Sequence, residues 1–238
     1  MHTTPYYYAP WCPGGSYHVY NRAVSLNRLF VGEKDVLRFR DSLRDKLRPF
    51  FEIYAMACVG SHFHLHGRVR SLAKIEGYLR GLPAAKLLTL QRHYLAGEVG
   101  FQRLVGDAFA RAFHGYARAF NRRHGRSGGL FNQTVRRLRV RDDLISRRLI
   151  AYLHWNEVKH GVGRRVMGLG YRTTFEEIAR GQTFFCEATA VLERFGGPEA
   201  FVAYHRAYKA RRLAALRRFD ERRFFGYERR APVCAWAL

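Results

Sequence analysis

Acidic side chains are scarce in this sequence: 19 Asp and Glu stand against 42 Lys and Arg, a formal net charge of +23 over 238 residues. Most of the cations therefore lack an acidic partner. Like charges repel, so such an excess does nothing for the fold; it prepares a surface for a polyanion. Nucleic acid is the first candidate, because neutralised phosphates release condensed counterions; an anionic membrane surface is the rival. Cysteine is also sparse. Cys12, Cys58, Cys186 and Cys234 lie far apart with no C-x-x-C pair, which argues against a disulfide framework or a zinc ribbon and for reduced thiols in a cytoplasmic protein. No run approaches the roughly 20 apolar residues of a membrane span. Residues 1–15 show no basic segment leading into an apolar one, so no secretory signal is expected. Internal repeats and long low-complexity segments are missing too.

What is present is a hydrophobic fraction of 47%, enough for a real core in one generous domain or a domain with an appendage. Aromatic and β-branched residues predict a strand over 16–24. Val36, Leu37, Phe39, Leu43 and Leu47 recur at helical spacing after Asp35, read as an N-cap. Residues 50–59 (FFEIYAMACV) predict a buried strand, Gly60-Ser61 a break, and 62–70 a further strand. Helical patterns cover about 72–95, interrupted at Gly77 and Gly81-Leu82-Pro83, and about 107–123. A strand over 133–140 precedes a helix opened by Asp142 and Asp143, reaching Lys159 and stopped by His160-Gly161. Weaker helical signals lie at 187–194 and 198–219. The order predicts an α+β fold: a ferredoxin-like central antiparallel sheet with helices packed on one face, plus a basic helical C-terminal extension. The expected division is a lead at 1–15, a domain at 16–165 and the extension at 166–238.

The most informative strand reads HFHLH. Residues two apart on a strand share a face, so His62, His64 and His66 point one way and Phe63 and Leu65 the other, toward the core. Same-face neighbours stand about 6.5–7 Å apart at Cα, close enough for two imidazoles to converge on one cation. The alternative is a histidine-rich strand with no ligand. The most informative helix reads LIAYLHWNEVKHG, residues 149–161. Tyr152 and Asn156, four apart, share a stripe. An amide oxygen is a hard neutral metal ligand, and a phenol beside it can act as a nucleophile. If this helix crosses the histidine face, His62, His64 and Asn156 make a three-ligand site with Tyr152 one turn away. Glu157 is less well placed. His154 and Trp155 face elsewhere and read as packing or DNA-contact residues.

Arg122, Arg123, Arg126, Arg136, Arg137, Arg139 and Arg141 cluster just before this helix. A second group, Arg211-Arg212 to Arg229-Arg230, is interleaved with Phe219, Phe224, Phe225 and Tyr227. Arginine with aromatics suits a phosphate track with base-stacking platforms. Tyr6-Tyr7-Tyr8 reads equally as a base-stacking group or a sheet cap.

These motifs resemble the single-tyrosine HUH transposases, and among them the REP-associated tyrosine transposases. His62-Phe63-His64 satisfies the His-hydrophobic-His motif, and 59–65 loosely matches its lead-in M-P-N-H-V-H-L. Residues 152–161 match most of Y-I-H-L-N-P-V-x-x-G, and Tyr17-His18-Val19-Tyr20-Asn21-Arg22 and RSGGLF (126–131) are similar in kind and order. The likeness covers about 15–165. It implies a compact α+β domain acting on single-stranded DNA that carries a hairpin or inverted repeat. Tyr152 would be the nucleophile that forms a 5′-phosphotyrosine and frees a 3′-hydroxyl; His62, His64 and Asn156 would hold Mg²⁺ or Mn²⁺. A homodimer is compatible with it. Two departures, Glu157 in place of Pro and His66 in place of an apolar residue, make both candidate auxiliary groups. Two rivals stand beside this reading. A histidine-triad nucleotide hydrolase or transferase would explain His62 to His66 but neither the tyrosine helix nor the charge. A non-catalytic nucleic-acid-binding descendant would explain the charge but not the intact motifs.

Overall fold

The computed structural model describes residues 8–24, 28–132, 135–159 and 172–215, without the side chains of 157–159 and 209–215. Within them the chain runs β1 (Ser16–Arg22), α1 (Glu33–Leu47), β2 (Phe51–Val59), β3 (His62–Val69), α2 (Leu72–Arg80), α3 (Thr89–Leu95), α4 (Phe101–Arg123), β4 (Arg136–Val140), α5 (Asp143–Lys159), α6 (Phe175–Ala179), α7 (Ala188–Phe195) and α8 (Pro198–Ala215). The strands form one antiparallel sheet in the order β2-β3-β1-β4. The α+β class expected from the sequence is the one observed.

Strand alternation assigns the two faces. Val19, Phe63 and Leu65 are fully buried on one, where Phe63 meets Phe39 of α1 at 4.9 Å and Phe113 of α4 at 5.3 Å between ring centres. Each such buried ring contributes about 1.5–3 kcal/mol by leaving water. The other face carries His18, His64 and His66 in register with Ala55 and Ala57 of β2. Those two small residues leave room for a helix, and α5 lies against β2 and β3 there. Helices thus cover both faces, where the sequence pattern was read as covering one; the histidine face is masked by α5 rather than bare.

Local chemistry sets the boundaries. Asp35 is the third helical residue of α1 rather than its N-cap, with its carboxylate reaching back to accept from the Val31 and Gly32 N–H groups at 2.9 and 3.2 Å. The pattern over 72–95 divides into α2, a short turn at Ala84–Lys86 and α3, because Pro83 cannot continue a helix. α4 starts at Phe101, earlier than expected: Leu104, Val105, Ala108, Phe109, Ala112, Phe113, Tyr116 and Phe120 form one buried stripe that outweighs the cost of Gly106. Asp142 caps α5, its Oδ1 accepting from the Ile145 N–H at 2.7 Å.

The segment beyond 171 packs along β2. The Cys58 N–H donates to the Arg172 carbonyl at 2.9 Å and the Glu187 N–H to the Ile53 carbonyl at 2.8 Å. Arg40 of α1 and Glu177 of α6 form a buried ion pair, and Glu177 also accepts from the Phe185 and Cys186 N–H groups. α6 is too short to leave a periodic signal. Among the described residues no helix is long and apolar enough to cross a membrane.

Candidate active site beneath helix α5

Two buried hydrogen-bond systems fix α5 on the sheet, one on each side of Tyr152. On the N-terminal side, His66 is fully buried, its Nδ1 2.9 Å from the Tyr17 carbonyl and its Nε2 2.7 Å from Ser146 Oγ. A carbonyl only accepts, so Nδ1 carries the proton and Nε2 accepts from the hydroxyl. Burial holds the pKa of this ring down, to about 4. With both nitrogens engaged, His66 is a strap between sheet and helix; the expectation that it would serve as an auxiliary ligand is corrected.

On the C-terminal side of Tyr152, His154 Nδ1 lies 2.9 Å from His205 Nε2, and His154 Nε2 lies 2.9 Å from Thr174 Oγ1. His205 Nδ1 lies 2.8 Å from the Phe201 carbonyl. The same carbonyl logic sets every proton. His205 Nδ1–H donates to the carbonyl, His154 Nδ1–H to His205, and the Thr174 hydroxyl to His154, while Thr174 Oγ1 accepts from the Met56 N–H at 3.1 Å. The chain of bonds requires both imidazoles neutral, and burial lowers both pKa values, that of His205 to about 4.

Between these anchors the Tyr152 ring stands 5.9 Å from that of His64 at 76°. Ser146 is level with His66 and Tyr152 with His64, so α5 runs antiparallel to β3. Asn156 follows Tyr152 by four residues, about 6 Å along α5, and His62 precedes His64 by two strand residues, about 6.7 Å, so the two steps are of similar length. Asn156 is fully buried, and neither its Oδ1 nor its Nδ2 has a hydrogen-bond partner. Each orphaned atom costs about 1–3 kcal/mol, a cost that a bound cation or substrate oxygen would relieve.

The His62 and His64 rings lie 5.1 Å apart at 89°. Two imidazoles on one cation, with roughly 2.1 Å metal–nitrogen bonds, have ring centres roughly 4.5–5.3 Å apart for angles between square and tetrahedral. The pair fits that range, and an amide oxygen such as that of Asn156 is the kind of hard neutral donor that Mg²⁺ or Mn²⁺ accepts beside imidazole. Among the described residues no group of three or more His, Cys, Asp and Glu side chains comes together as a metal site, so the amide oxygen is required for a third protein ligand.

Two neighbours of His64 were not singled out from sequence. His18 Nε2 is 3.0 Å from His64 Nδ1 in a buried contact, and burial, reinforced by nearby His66, lowers the His18 pKa to about 3. If His64 offers Nε2 to a cation, its Nδ1–H donates to neutral His18, the arrangement that fixes a ligand's tautomer and ring orientation. Tyr20, half-buried, has its ring 5.8 Å from that of His64. The alternation His18, Tyr20, Arg22 within SYHVYNR was the available signal.

The arginines expected to act together are divided. Arg136 is exposed and pairs in register with Tyr20, on the histidine face. Arg137 and Arg139 point to the opposite face. Arg137 donates to the Ala9 carbonyl at 2.6 Å and lies over the Trp11 ring; Arg139 donates to Tyr17 Oη at 2.9 Å. Arg137 thus holds the N-terminal lead against the sheet, and Arg139 braces the Tyr17 hydroxyl, which itself bonds Pro10 and Cys12 of that lead. Arg122 and Arg123 lie in the last turn of α4, where cations suit the helix dipole, and Arg126 follows just beyond it; Arg123 lies 3.6 Å from Asp35, and Arg126 sits over Phe120. Arg141 is exposed just before α5. The side chain of Glu157, the stop at His160-Gly161, Tyr6 and Tyr7, and the arginine-aromatic tail beyond 215 lie outside the described residues; the side chains of Arg211 and Arg212 do as well.

A solved structure of a REP-associated tyrosine transposase bound to a REP hairpin has this fold: its TM-score is 0.52 at 16% sequence identity, covering 76% of this chain and 87% of that one. The sequence matches no protein-family model and no curated protein. What is shared with that transposase is a fold, an α+β domain around an antiparallel sheet, and at this identity the likeness extends to the fold alone.

Proposed function

We propose that this protein nicks and rejoins single-stranded, hairpin-bearing DNA through a covalent link to Tyr152. One observation carries the reading: α5 sets the Tyr152 ring beside that of His64 and carries, four residues further on, a buried amide without a partner, Asn156. The fold shared with a hairpin-bound transposase supports the same substrate.

His62, His64 and Asn156 are the residues that would hold the divalent cation. When bound, Mg²⁺ or Mn²⁺ would withdraw charge from the non-bridging oxygens of the scissile phosphate. Tyr152 Oη attacks phosphorus in line; the bond from phosphorus to the 3′ oxygen breaks, the phenol gives up a proton and the 3′ oxygen gains one. The products are a 5′-phosphotyrosine and a free 3′-hydroxyl. A phenol, with a reference pKa near 10, leaves more readily than an alkoxide, so the hydroxyl can attack the link and restore a phosphodiester. His66 and the His154–His205 pair hold α5 still on either side of Tyr152, which pre-organises the attacking oxygen. Arg136, exposed beside Tyr20, offers a cation to the strand as it enters.

The burial of Tyr152, 1% exposed, favours a second reading: a nucleic-acid-binding descendant without chemistry. The histidine-triad reading loses ground because His66 is fully engaged. One experiment separates these readings. The full chain is incubated with single strands bearing a hairpin and randomised flanks, labelled at the 3′ end so that the label follows the phosphotyrosine. A labelled protein band with Mn²⁺, abolished by chelator and by Tyr152→Phe, is the expected result. Binding without any adduct supports the non-catalytic reading, and equal nicking by wild type and Tyr152→Phe removes the assigned nucleophile.

A further inference from the structure

We propose that a cleft on the far side of the sheet from Tyr152 binds the unpaired nucleotides that flank the cleaved position. The proposal rests on the reading of the partner as single-stranded DNA and adds where that strand goes.

The cleft has a volume of about 880 Å³ and lies between α4 and the segment leading into β4. That is the size at which small-molecule sites are found, roughly 300–1,000 Å³. Arg111, His114, Arg118 and Asn121 recur at three- and four-residue intervals along α4 and so form one stripe; all four line it. Lys46 of α1 adds a third Lys or Arg cation, and no Asp or Glu is among the lining residues. Arg111 has Asp107 one turn away, at 2.7 Å; Arg118 is exposed. Phe131 is half-buried on the other wall, its inner side packed on Phe113 at 5.4 Å between ring centres. The chemistry is that of a single-strand site: cations for phosphates and an aromatic for a base.

Asn121 supplies the acceptor. Its Nδ2 donates to the Gly128 carbonyl at 2.9 Å, but its Oδ1 is buried with no partner. An unpartnered amide oxygen in a cationic cleft suits the exocyclic amino or ring N–H group of an unpaired base.

The position of the cleft follows from β1. Asn21 and Arg22 are consecutive and leave opposite faces of the sheet. Arg22 is paired in register with His62, while Asn21 is paired with Phe63 and lines the cleft. The catalytic histidines and the cleft therefore meet at the same end of the sheet, one on each face. A single strand that leaves the His62 side over this end enters the cleft directly; a blunt duplex has no unpaired base to place there.

The test is fluorescence anisotropy on the full chain in EDTA, so that no cleavage intervenes. Two oligodeoxynucleotides are compared: a hairpin with unpaired flanks and the same hairpin trimmed blunt. Arg118→Glu should weaken binding of the flanked hairpin about tenfold at 0.1 M salt and flatten the salt dependence by about one phosphate contact. Asn121→Ala should weaken it by a similar factor without changing the salt slope, because no charge is lost. Blunt hairpin should be unaffected by either. Arg180→Glu, an exposed charge change just after α6, should leave both ligands as in wild type. Undiminished binding of the flanked hairpin by both cleft variants overturns the proposal while leaving the proposed nicking activity untouched, as does an equal loss on the blunt hairpin. Failure of wild type to bind either DNA overturns the proposal together with the reading on which it rests.

Discussion

Acid should loosen the seam between α5 and α8 well above the pH at which carboxylates alone would unfold such a chain. The perturbation is protonation of His205, whose two nitrogens are committed to the Phe201 carbonyl and to His154. Its folded pKa is lowered to about 4, chiefly by burial, against an ordinary value of 6.5. Above pH 6.5 the ring is neutral in both folded and unfolded chains, and the stability is complete. Between pH 6.5 and about 4 the unfolded chain binds a proton that the folded chain refuses, so stability falls with pH. Each such ring contributes a slope of about 1.36 kcal/mol per pH unit, and for His205 the loss across the window is about 3 kcal/mol. That is a large part of the roughly 5–15 kcal/mol of a typical domain. The assay is urea unfolding followed by circular dichroism from pH 7 to pH 4, on wild type and on His205→Phe, which keeps the ring volume among Phe175, Phe195 and Phe201. The variant should be weaker at pH 7, because His154 Nδ1–H loses its acceptor, yet its stability should fall less steeply on acidification. Equal slopes for the two proteins would refute the neutral histidine relay.

Three further outcomes follow from the same structure. Ser146→Ala leaves His66 Nε2 buried without its donor and should cost about 1–3 kcal/mol in denaturant unfolding; no measurable loss would mean that the strap holds nothing. Gly67→Ala would drive a Cβ from β3 into the Glu52 carbonyl and the Phe51 ring of β2, so destabilisation of about 3 kcal/mol or more, the upper end of overpacking, is expected in thermal melts. His18→Ala should weaken Mn²⁺ binding, read by the free-ion signal in electron paramagnetic resonance, about 10–100-fold, and His18→Gln should recover part of it; unchanged affinity in both would remove His18 from the site.

How far the sequence carried depended on the range of the forces involved. HFHLH and the Tyr152–Asn156 stripe are local periodicities, and they show which side chains share a strand face or a helix stripe; that the stripe meets the face at His64 depends on where α5 crosses the sheet. The division of Arg136 from Arg137 and Arg139 was also legible, since neighbours on a strand leave opposite faces; reading the arginines as one charge cluster concealed it. The capture of His66 by Ser146, 80 residues away, was not. Nothing near His66 distinguishes it from His64, and only the crossing point of α5 decides which ring is taken. The partnership of His18 with His64 depends on strand order, and the cleft beneath α4 on how a helix and a loop from distant parts of the chain meet. α6 left no pattern because five residues span little more than one turn.

The identity of the tyrosine that bonds to DNA is the most direct test of the whole account. The adduct formed with Mn²⁺ and a hairpin-bearing strand should be digested with trypsin and nuclease and sequenced by mass spectrometry. The nucleotide is expected on Tyr152, within the peptide of residues 149–159. A nucleotide on Tyr20, the other phenol beside His64, or on no tyrosine at all would contradict it.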